Sequence, residues 1–361
     1  MSSALVGLMP RGCSICREGA KLVLFVTGVC DSSCFYCPLS AERAGLDVVF
    51  ADEMPVLDES DILIEARSID AKGAGLSGGD PLCRLDRTVR YIRLLKEDMG
   101  NDFHVHLYTA RTYLDNSDID RLVGAGLDEI RFHPQRDDWS GVKRAVDAGL
   151  ETGLEVPAIP GRLDNLKRVA EKGEKVGVSF LNINELEASE TNFGTLRSMG
   201  MVLASMDGAS IRGSIDVARE LIQWAAAELG LSVHFCSASF KDGVQMKRRL
   251  LRRLENTIRE FEIQQEDEPI LVLGIIRAPH GRLLSNEDLS RIRNILTTRF
   301  EVPDELVCID LQRNRIETAA WILEEIAHDL KRVLGHEEQV EIGVAREYPT
   351  WDRLQVEFEP L

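Results

Sequence analysis

Short β-branched runs alternate with segments of helical period between residues 21 and 240. The apolar runs have the length of strands, and the segments between them repeat apolar residues every three or four positions, as amphipathic helices do. The pattern predicts strands at 22–27, 75–78, 104–109, 129–133, 154–159, 180–185 and 232–236, and helices at 60–72, 84–99, 117–124, 140–148, 163–176 and 215–229. This alternation indicates an α/β fold with repeated β-α units around a parallel sheet.

The pattern changes near residue 264, where an acidic and polar stretch at 264–269 is typical of a linker. Behind it, elements are predicted at 270–276, 286–300, 306–311, 317–334, 340–344 and 354–358. Their order, β-α-β-α-β-β, predicts a small C-terminal α/β domain in which helices pack on one sheet. We therefore divide the chain into an N-terminal segment at 1–20, a large domain at 21–263 and a small domain at 264–361.

The composition is that of a globular protein with excess negative charge. The 361 residues are 44% hydrophobic, and 60 acidic against 43 basic residues give a formal charge of −17. Such a surface disfavours nucleic acid as a partner. The basic stretch at 247–253 is a local exception. It is interpreted either as a solvated helix face or as a site for phosphate or an acidic partner.

The chain carries no sequence signal for a membrane. No apolar run reaches the roughly 18 residues that a membrane span needs, and residues 1–10 lack the basic start and longer apolar region of a signal peptide. We expect no membrane partner and a cytoplasmic location. Eight cysteines are too few for a disulfide scaffold at this length, and a reducing compartment keeps them available as thiolate ligands.

Three cysteines follow the first predicted strand in one short run, Cys30, Cys34 and Cys37, with the spacing C-x3-C-x2-C. Three thiolates on a loop can hold three irons of a four-iron, four-sulfur cluster, and the missing fourth ligand leaves one iron open to a small chelating molecule. A zinc site would more often pair C-x2-C with a second C-x2-C or with histidines. A trio of buried thiols or a zinc knuckle is the alternative interpretation.

A second motif, Gly78-Gly79-Asp80-Pro81, lies about forty residues further along, at the end of the next predicted strand. Paired glycines let the backbone approach a ligand closely, and the acid that follows them can accept hydrogen bonds from an ammonium group. On its own, such a run would more often be an ordinary turn. Its position behind the cysteine loop makes it a candidate ligand-binding segment.

The cysteine spacing, Tyr36 beside the last cysteine and the Gly-Gly-Asp-Pro run together resemble the radical S-adenosylmethionine (radical SAM) superfamily. The resemblance implies a partial (β/α)6 barrel that binds its ligands at the C-terminal ends of the strands. It implies a [4Fe–4S] cluster whose open iron binds SAM, and an electron donor of ferredoxin or flavodoxin type. Reductive cleavage of SAM would then give a 5′-deoxyadenosyl radical that abstracts a substrate hydrogen, with the cofactors carrying the chemistry.

The resemblance also assigns residues to SAM. Gly78, Gly79 and Asp80 stand where the family has Gly-Gly-Glu-Pro, which holds the amino group of SAM, although aspartate reaches one methylene less far. Tyr36 is placed among the cofactor contacts as part of the cysteine loop. Over most of its length, the chain resembles a largely archaeal group related to pyruvate formate-lyase activating enzymes.

Polar side chains on the later predicted strands supply further candidates. The guanidinium of Arg131 could grip the SAM carboxylate with two hydrogen bonds. Asn182, Asn184 and Glu187 are interpreted as contacts to the SAM ribose or the substrate, because unpaired buried polar groups cost about 1–3 kcal/mol each. A surface loop with helix-capping residues is the alternative.

A second C-x2-C, formed by Cys13 and Cys16, precedes the first predicted strand. Two thiols are not a complete metal site. Cys236, at the end of the last predicted barrel strand, would come near them if the barrel curls round, and Cys83 or His234 could complete the set. The three cysteines are therefore a candidate second site for zinc or an auxiliary iron–sulfur cluster. Inert thiols and a disulfide formed under oxidation are the alternatives.

These motifs predict an enzyme that cleaves SAM reductively and abstracts hydrogen from a protein or small-molecule substrate. A protein or peptide substrate, as in activases and maturases, fits the acidic surface and an open side of the barrel. A nucleoside or RNA substrate requires that Lys241 and the stretch 247–253 line the barrel mouth. The alternative from another class is a non-catalytic protein whose cysteines bind zinc or structural clusters.

Overall fold

The computed structural model describes residues 3–206, 208–279, 281–334 and 340–361. The chain divides into two compact units, Met1–Arg249 and Leu250–Leu361. This division falls before the linker proposed at 264–269 and within the helix Lys247–Thr257. None of the described helices has the length and apolar character that a membrane-spanning helix needs.

The larger unit is built on a sheet of ten described strands. The strands are β1 (Ser3–Val6), β2 (Lys21–Thr27), β3 (Phe50–Ala51), β4 (Met54–Pro55), β5 (Gly73–Gly78), β6 (His104–Thr109), β7 (Glu129–Phe132), β8 (Glu151–Ala158), β9 (Phe180–Glu185) and β10 (Ser232–Cys236). They lie in the order β1-β10-β9-β8-β7-β6-β5-β2-β3-β4. Strands β2 and β5 to β10 are mutually parallel. These are the seven strands that the sequence predicts, and the α/β fold class is confirmed.

Helices connect the parallel strands. They are α1 (Arg11–Arg17), α2 (Glu59–Ser68), α3 (Leu85–Met99), α4 (Asn116–Ala125), α5 (Ser140–Asp147), α6 (Leu163–Val176), α7 (Phe193–Ser198), α8 (Ser214–Glu228), α9 (Ala238–Phe240) and α10 (Lys247–Thr257). A 3-10 helix spans Pro81–Arg84, and a π-helix spans Lys241–Met246 between α9 and α10.

The two faces of the parallel sheet differ in chemistry. On β6, Val105 and Leu107 are fully buried in the apolar core, which also contains helix residues such as Ile92 and Leu95. The alternating residues His104 and His106 point to the opposite face, as the two-residue period of a strand requires. This second face is buried but polar, and it carries the side chains that define the site.

The N-terminal segment at 1–20, for which no regular structure is predicted, contributes a strand and a helix. Strand β1 pairs antiparallel with β10, from Ser3 opposite Cys236 to Val6 opposite Val233. The backbone N–H of Gly12, in α1, donates a hydrogen bond of 3.2 Å to Glu129 at the start of β7. Helix α1 therefore lies against the polar face of the sheet and carries Cys13 and Cys16 with it.

The smaller unit is an antiparallel sheet with two long helices. Its strands are β11 (Ile263–Gln264), β12 (Leu271–Arg277), β13 (Val307–Asp310), β14 (Arg315–Thr318), β15 (Glu341–Glu347) and β16 (Gln355–Pro360), and its helices are α11 (Asn286–Arg299), α12 (Ala320–Leu334) and the 3-10 helix Asp304–Leu306. The order of the main sheet is β13-β14-β12-β15-β16, with β11 added to β12. The predicted β-α-β-α-β-β order lacks β11 and β14.

The sequence pattern does not predict strand β14, because two of its four residues, Arg315 and Glu317, are charged. The predicted helix at 317–334 includes its end, whereas the observed helix α12 begins at Ala320. In the structure Arg315 makes hydrogen bonds of 2.9 Å to Glu317 and 2.8 Å to Glu347, and all three side chains are buried. The ion pairs allow a polar sequence to form a central strand.

Candidate active site

The cysteine loop follows β2 and lines a cavity of about 250 Å³. Cys30, Cys34 and Cys37 all contribute to the cavity wall. The loop is folded by local hydrogen bonds, from Cys37 N–H to the Cys34 carbonyl at 3.0 Å and from Ser32 N–H to the Cys30 sulfur at 3.4 Å. Burial raises the pKa of the Cys30 and Cys34 thiols. The structure thus brings the three predicted cluster ligands to one cavity.

Gly78 and Gly79 also line this cavity, and both positions exclude a side chain. A Cβ on Gly78 would lie 2.3 Å from the carbonyl oxygen of Thr27, and Gly78 has a φ of +147°. A Cβ on Gly79 would lie 2.5 Å from the carbonyls of Gly28 and Val29. The Gly79 N–H also donates to the Thr27 carbonyl at 2.8 Å. The paired glycines are therefore needed to seat the cysteine loop against β5.

Asp80 is buried and does not line the cavity. Its carboxylate accepts hydrogen bonds from the Leu82 and Ala110 N–H groups, at 3.0 and 2.9 Å, and from the Thr109 hydroxyl at 3.0 Å. Burial raises the pKa of Asp80, while these hydrogen bonds act in the opposite direction. This placement differs from the expectation that Asp80 accepts from the SAM amino group. The carboxylate instead ties the end of β5 to the end of β6.

Arg111 binds the cysteine loop through Asp31, although no sequence motif predicts this role. Its guanidinium pairs with Asp31, which lies inside the loop, and donates 2.9 Å to the Leu82 carbonyl and 3.4 Å to the Cys83 sulfur. The hydrogen bond from Arg111 holds the pKa of Asp31 below its usual range. Cys83 is thus an acceptor for Arg111.

Tyr36 is positioned by a chain of hydrogen bonds that sequence reasoning missed. The Nδ1 of His133 lies 2.7 Å from the carbonyl oxygen of Glu155. Because a carbonyl can only accept, Nδ1 carries the proton, and Nε2 accepts from the Tyr36 hydroxyl at 2.8 Å. Burial lowers the pKa of His133, which keeps the ring neutral. Tyr36 also accepts from Gln135 Nε2 at 3.0 Å.

Arg131 lies deep on the polar face, between two carboxylates. Its Nε donates to Glu129 at 2.5 Å and its Nη1 donates to Glu155 at 2.9 Å. The second terminal nitrogen, Nη2, has no hydrogen-bond partner among the described residues and faces Gly12 in α1. Arg131 reaches the cavity wall, but its donors are directed elsewhere. This arrangement differs from the expected two-point grip on the SAM carboxylate.

A second cavity of about 230 Å³ adjoins the first and shares Tyr36 and His133 with it. Asn184 and Glu187 line it, and Asn184 donates 2.8 Å to the Glu155 carboxylate. Lys241 pairs with Glu187 at the same wall. The structure therefore brings Asn184 and Glu187, the predicted contacts, to one cavity next to that of the cysteine loop.

Asn182 lies elsewhere, in the buried interior. Its side-chain oxygen is 2.6 Å from His234 Nδ1 and 4.0 Å from the sulfur of Cys13. It lines neither cavity. The strand alternation cannot distinguish Asn182 from Asn184, since both point to the same face of β9. Only their depth along the strand separates a cavity residue from an interior one.

Arg248 and Arg249 of the basic stretch at 247–253 are bound to other parts of the larger unit. Arg249 pairs with Asp52 at 2.5 Å and also with Glu53, and Arg248 donates 2.8 Å to the carbonyl of Arg17. Leu250 is buried. None of the described residues of the stretch lines either cavity.

Comparisons with known proteins identify the family of the chain. The profile of the radical SAM superfamily matches residues 24–172, which include the cysteine loop and the paired glycines. Residues 270–361 match a domain of unknown function, DUF8061. A Methanocaldococcus jannaschii protein, MJ0021, whose name assigns it provisionally to the glycyl-radical enzyme activating enzymes, is 33% identical over 369 residues, covering 98% of this chain and 93% of the relative.

More distant similarities are limited to part of the chain. The PqqA peptide cyclase of Granulibacter bethesdensis is 24% identical over 185 residues, covering 46% of this chain and 47% of the cyclase. The crystal structure of Streptococcus suis SuiB bound to S-adenosylmethionine superposes with a TM-score of 0.43 and 10% identity, covering 60% of this chain and 50% of SuiB. Enzymes of the radical SAM superfamily use a [4Fe–4S] cluster and SAM. On its near full-length similarity to MJ0021 and its profile match, the chain belongs to the radical SAM superfamily and is an enzyme.

Proposed function

We propose that this enzyme reductively cleaves SAM at a [4Fe–4S] cluster held by Cys30, Cys34 and Cys37, and abstracts hydrogen from a protein or peptide. The observation that carries the proposal is the convergence of three thiols on a cavity that Gly78 and Gly79 also line. Three thiolates leave one iron of such a cluster open. The two glycines contribute backbone to the cavity lining, while a Cβ at either position would collide with the carbonyl oxygens of Thr27 or of Gly28 and Val29.

The residues of the chain hold and orient these groups. The cluster and SAM, when bound, supply a 5′-deoxyadenosyl radical that removes a hydrogen atom from the substrate. Arg111 binds Asp31 of the cysteine loop, and Asp80 ties the ends of β5 and β6 together. Tyr36 and His133 line both the cavity at the cysteine loop, here called the cofactor cavity, and the second cavity. We assign the second cavity, with the Lys241–Glu187 pair at its wall, to the substrate.

A protein or peptide is the substrate class that the relatives favour. The names of two relatives refer to a glycyl-radical enzyme and to the PqqA peptide. The nucleoside or RNA alternative depends on basic residues at the barrel mouth. In the part of the chain that the structure describes, Arg248 and Arg249 of the basic stretch are bound to the protein itself, and Lys241 is paired with Glu187.

Deuterium transfer tests both the reaction and the substrate class. The reconstituted, reduced enzyme is incubated with SAM and a deuterium-labelled extract of the native host, divided into protein and RNA fractions. Because the hydrogen abstracted from the substrate ends in 5′-deoxyadenosine, we expect deuterated 5′-deoxyadenosine with the protein fraction, and we expect protease treatment of that fraction to abolish it. The product is measured by mass spectrometry. Transfer from the RNA fraction alone would reject the protein substrate, and absence of 5′-deoxyadenosine in all reactions would reject the function.

We propose in addition that an acidic one-electron donor of ferredoxin or flavodoxin type docks beside the cysteine loop. A groove of about 700 Å³ borders the loop at Cys34. The cations that line it are Arg136, Arg162, Arg168 and Lys172. Asp137 is the one carboxylate among its described lining residues. A cationic groove on a chain of charge −17 is suited to an acidic partner, and contact at Cys34 places that partner next to a cluster ligand.

Charge reversal in this groove tests the docking site. The combined substitution Arg136→Glu, Arg162→Glu and Arg168→Glu should lower the ratio of flavodoxin-supported to dithionite-supported SAM cleavage on the order of tenfold, since steering charges mainly change the association rate. Lys175→Glu is the matched control, because Lys175 is exposed on the same helix α6 but lies outside the groove. An equal loss in the control, or an unchanged ratio in the groove variant, would contradict the site.

A further inference from the structure

Three cysteines outside the cluster loop are brought to one place in the fold. Cys13 and Cys16 are three residues apart in helix α1, so their side chains share one face of the helix. Cys236 is the last residue of β10. None of the three lines the cofactor cavity or the second cavity. The group is therefore separate from Cys30, Cys34 and Cys37.

Local contacts show that the three thiols face a common interior region. Cys13 and Cys236 are buried. The Cys13 sulfur lies 4.0 Å from the side-chain oxygen of Asn182, which is 2.6 Å from His234 Nδ1. His234 and Cys236 are two residues apart in β10, so their side chains share the same face of the strand. The Cys236 sulfur accepts a hydrogen bond of 3.6 Å from Gln245, in the π-helix. Such π-helical turns occur frequently at functional sites.

Lys21 places a cation on the same polar face of the sheet. Its ammonium group, on the first residue of β2, lies 6.0 Å from the centre of the Tyr108 ring. The nearby Glu155 carboxylate is paired with Arg131. Thiolates that share a metal carry net negative charge, which the Lys21 ammonium group would help to balance.

We propose that Cys13, Cys16 and Cys236 ligate a second metal centre, separate from the cluster on Cys30, Cys34 and Cys37. The ligands are thiolates, so the metal is thiophilic, either iron in an iron–sulfur cluster or zinc. This centre fastens helix α1 to the end of β10. The proposal does not depend on SAM cleavage, because it concerns cysteines that the proposed reaction does not use.

A single zinc ion holds its sulfur ligands at about 2.3 Å, which requires them to lie close together. Among the described residues, the donor atoms of His104, His106 and Glu129 lie within 4.8 Å of one another and those of the three cysteines do not, so a single ion would require the thiols to move closer. The group of two histidines and Glu129 is a poor cation site, because the Glu129 carboxylate is already bound to His104 at 3.1 Å and to the Arg131 guanidinium.

Metal analysis of cysteine variants tests the proposal on the full-length protein. The combined variant Cys30→Ala, Cys34→Ala and Cys37→Ala removes the ligands of the first cluster, and we expect it to retain metal. If the second centre is a [4Fe–4S] cluster, the variant should keep about four irons and four sulfides per chain. If it is a zinc site, the variant should hold about one zinc. Replacing Cys13, Cys16 and Cys236 in addition should remove this metal. Cys308→Ala, in the smaller unit, is the control.

The complementary variant keeps the proposal testable if the first one folds poorly. Cys13→Ala, Cys16→Ala and Cys236→Ala in the otherwise intact chain should lose the second metal while the iron held by the cysteine loop stays bound. Circular dichroism monitors the fold of each variant. Unchanged metal content in this complementary variant, or a folded first variant without iron and zinc, would overturn the proposal.

Discussion

Replacing any one of Cys30, Cys34 and Cys37 by alanine should abolish formation of 5′-deoxyadenosine from SAM, a loss of activity to the background of the assay. Two thiolates hold a four-iron cluster poorly, and the proposed reaction requires an electron from that cluster. The visible absorption of the cluster and the 5′-deoxyadenosine yield, both measured after anaerobic reconstitution, should fall together. The fold should persist, because the three side chains lie on a cavity wall and not in the apolar core.

Cys308→Ala provides the matched control for this series. Cys308 is a free, half-buried cysteine in the smaller unit. Its removal should leave 5′-deoxyadenosine formation unchanged. Full activity in any of the three loop variants would show that the loop does not hold the catalytic cluster, whatever metal the protein contains.

Asp80→Ala should lower the free energy of unfolding of the larger unit by about 3 kcal/mol. The substitution leaves the Leu82 and Ala110 N–H groups and the Thr109 hydroxyl without their acceptor. Each buried donor left unpaired costs about 1–3 kcal/mol, with partial relief where water enters. Urea unfolding measures the loss. The affinity for SAM should fall as a consequence, because the paired glycines that line the cofactor cavity directly precede Asp80.

Asp86→Ala is the control, because it shows how much stability is lost when a carboxylate without buried hydrogen bonds is removed. Asp86 lies in the same region of the sequence, its side chain is 93% exposed, and it pairs with Arg121 at the surface. Such surface pairs contribute about 0–1 kcal/mol, so the control should be nearly neutral. If Asp80→Ala weakened SAM binding on the order of tenfold or more with no change in stability, a direct contact between the carboxylate and SAM would explain the result better.

The sequence predicts the parallel sheet well because the information is local. Each of the seven strands carries its own apolar run, and each long helix repeats apolar residues every three or four positions. These elements can therefore be predicted without knowing which distant residues they contact. Helix α1 and strand β14 lack such signals. Helix α1 is seven residues long and is held by Glu129, and β14 is held by an ion pair from Arg315 to Glu347. Both elements depend on partners that are distant in sequence.

The site residues likewise divide into those that the local sequence predicts and those that depend on distant partners. Cys30, Cys34 and Cys37 belong to one turn, so their spacing alone predicts that they converge. The roles of Asp80 and Arg131 depend on Ala110 and Glu155, which come from other strands. A motif shows which residue type stands at a position, but it does not show whether its hydrogen bonds are already taken. For this reason the sequence does not predict that Asp80 binds Thr109 and Ala110 or that Arg131 binds Glu129 and Glu155, and the expected contacts of both residues to SAM stay predictions.

The pairing of β1 with β10 has a consequence for folding during synthesis on the ribosome. Residues 3–6 pair with 233–236, so more than two hundred residues must be synthesised before that edge of the sheet can form. Contacts of such long sequence separation are late to form, because the chain entropy of closing the loop must be overcome first. Cys236 is the last residue of β10, so the three thiols of the proposed second centre can come together only after that strand has emerged. A metal held by all three would therefore be bound only after most of the larger unit has been synthesised.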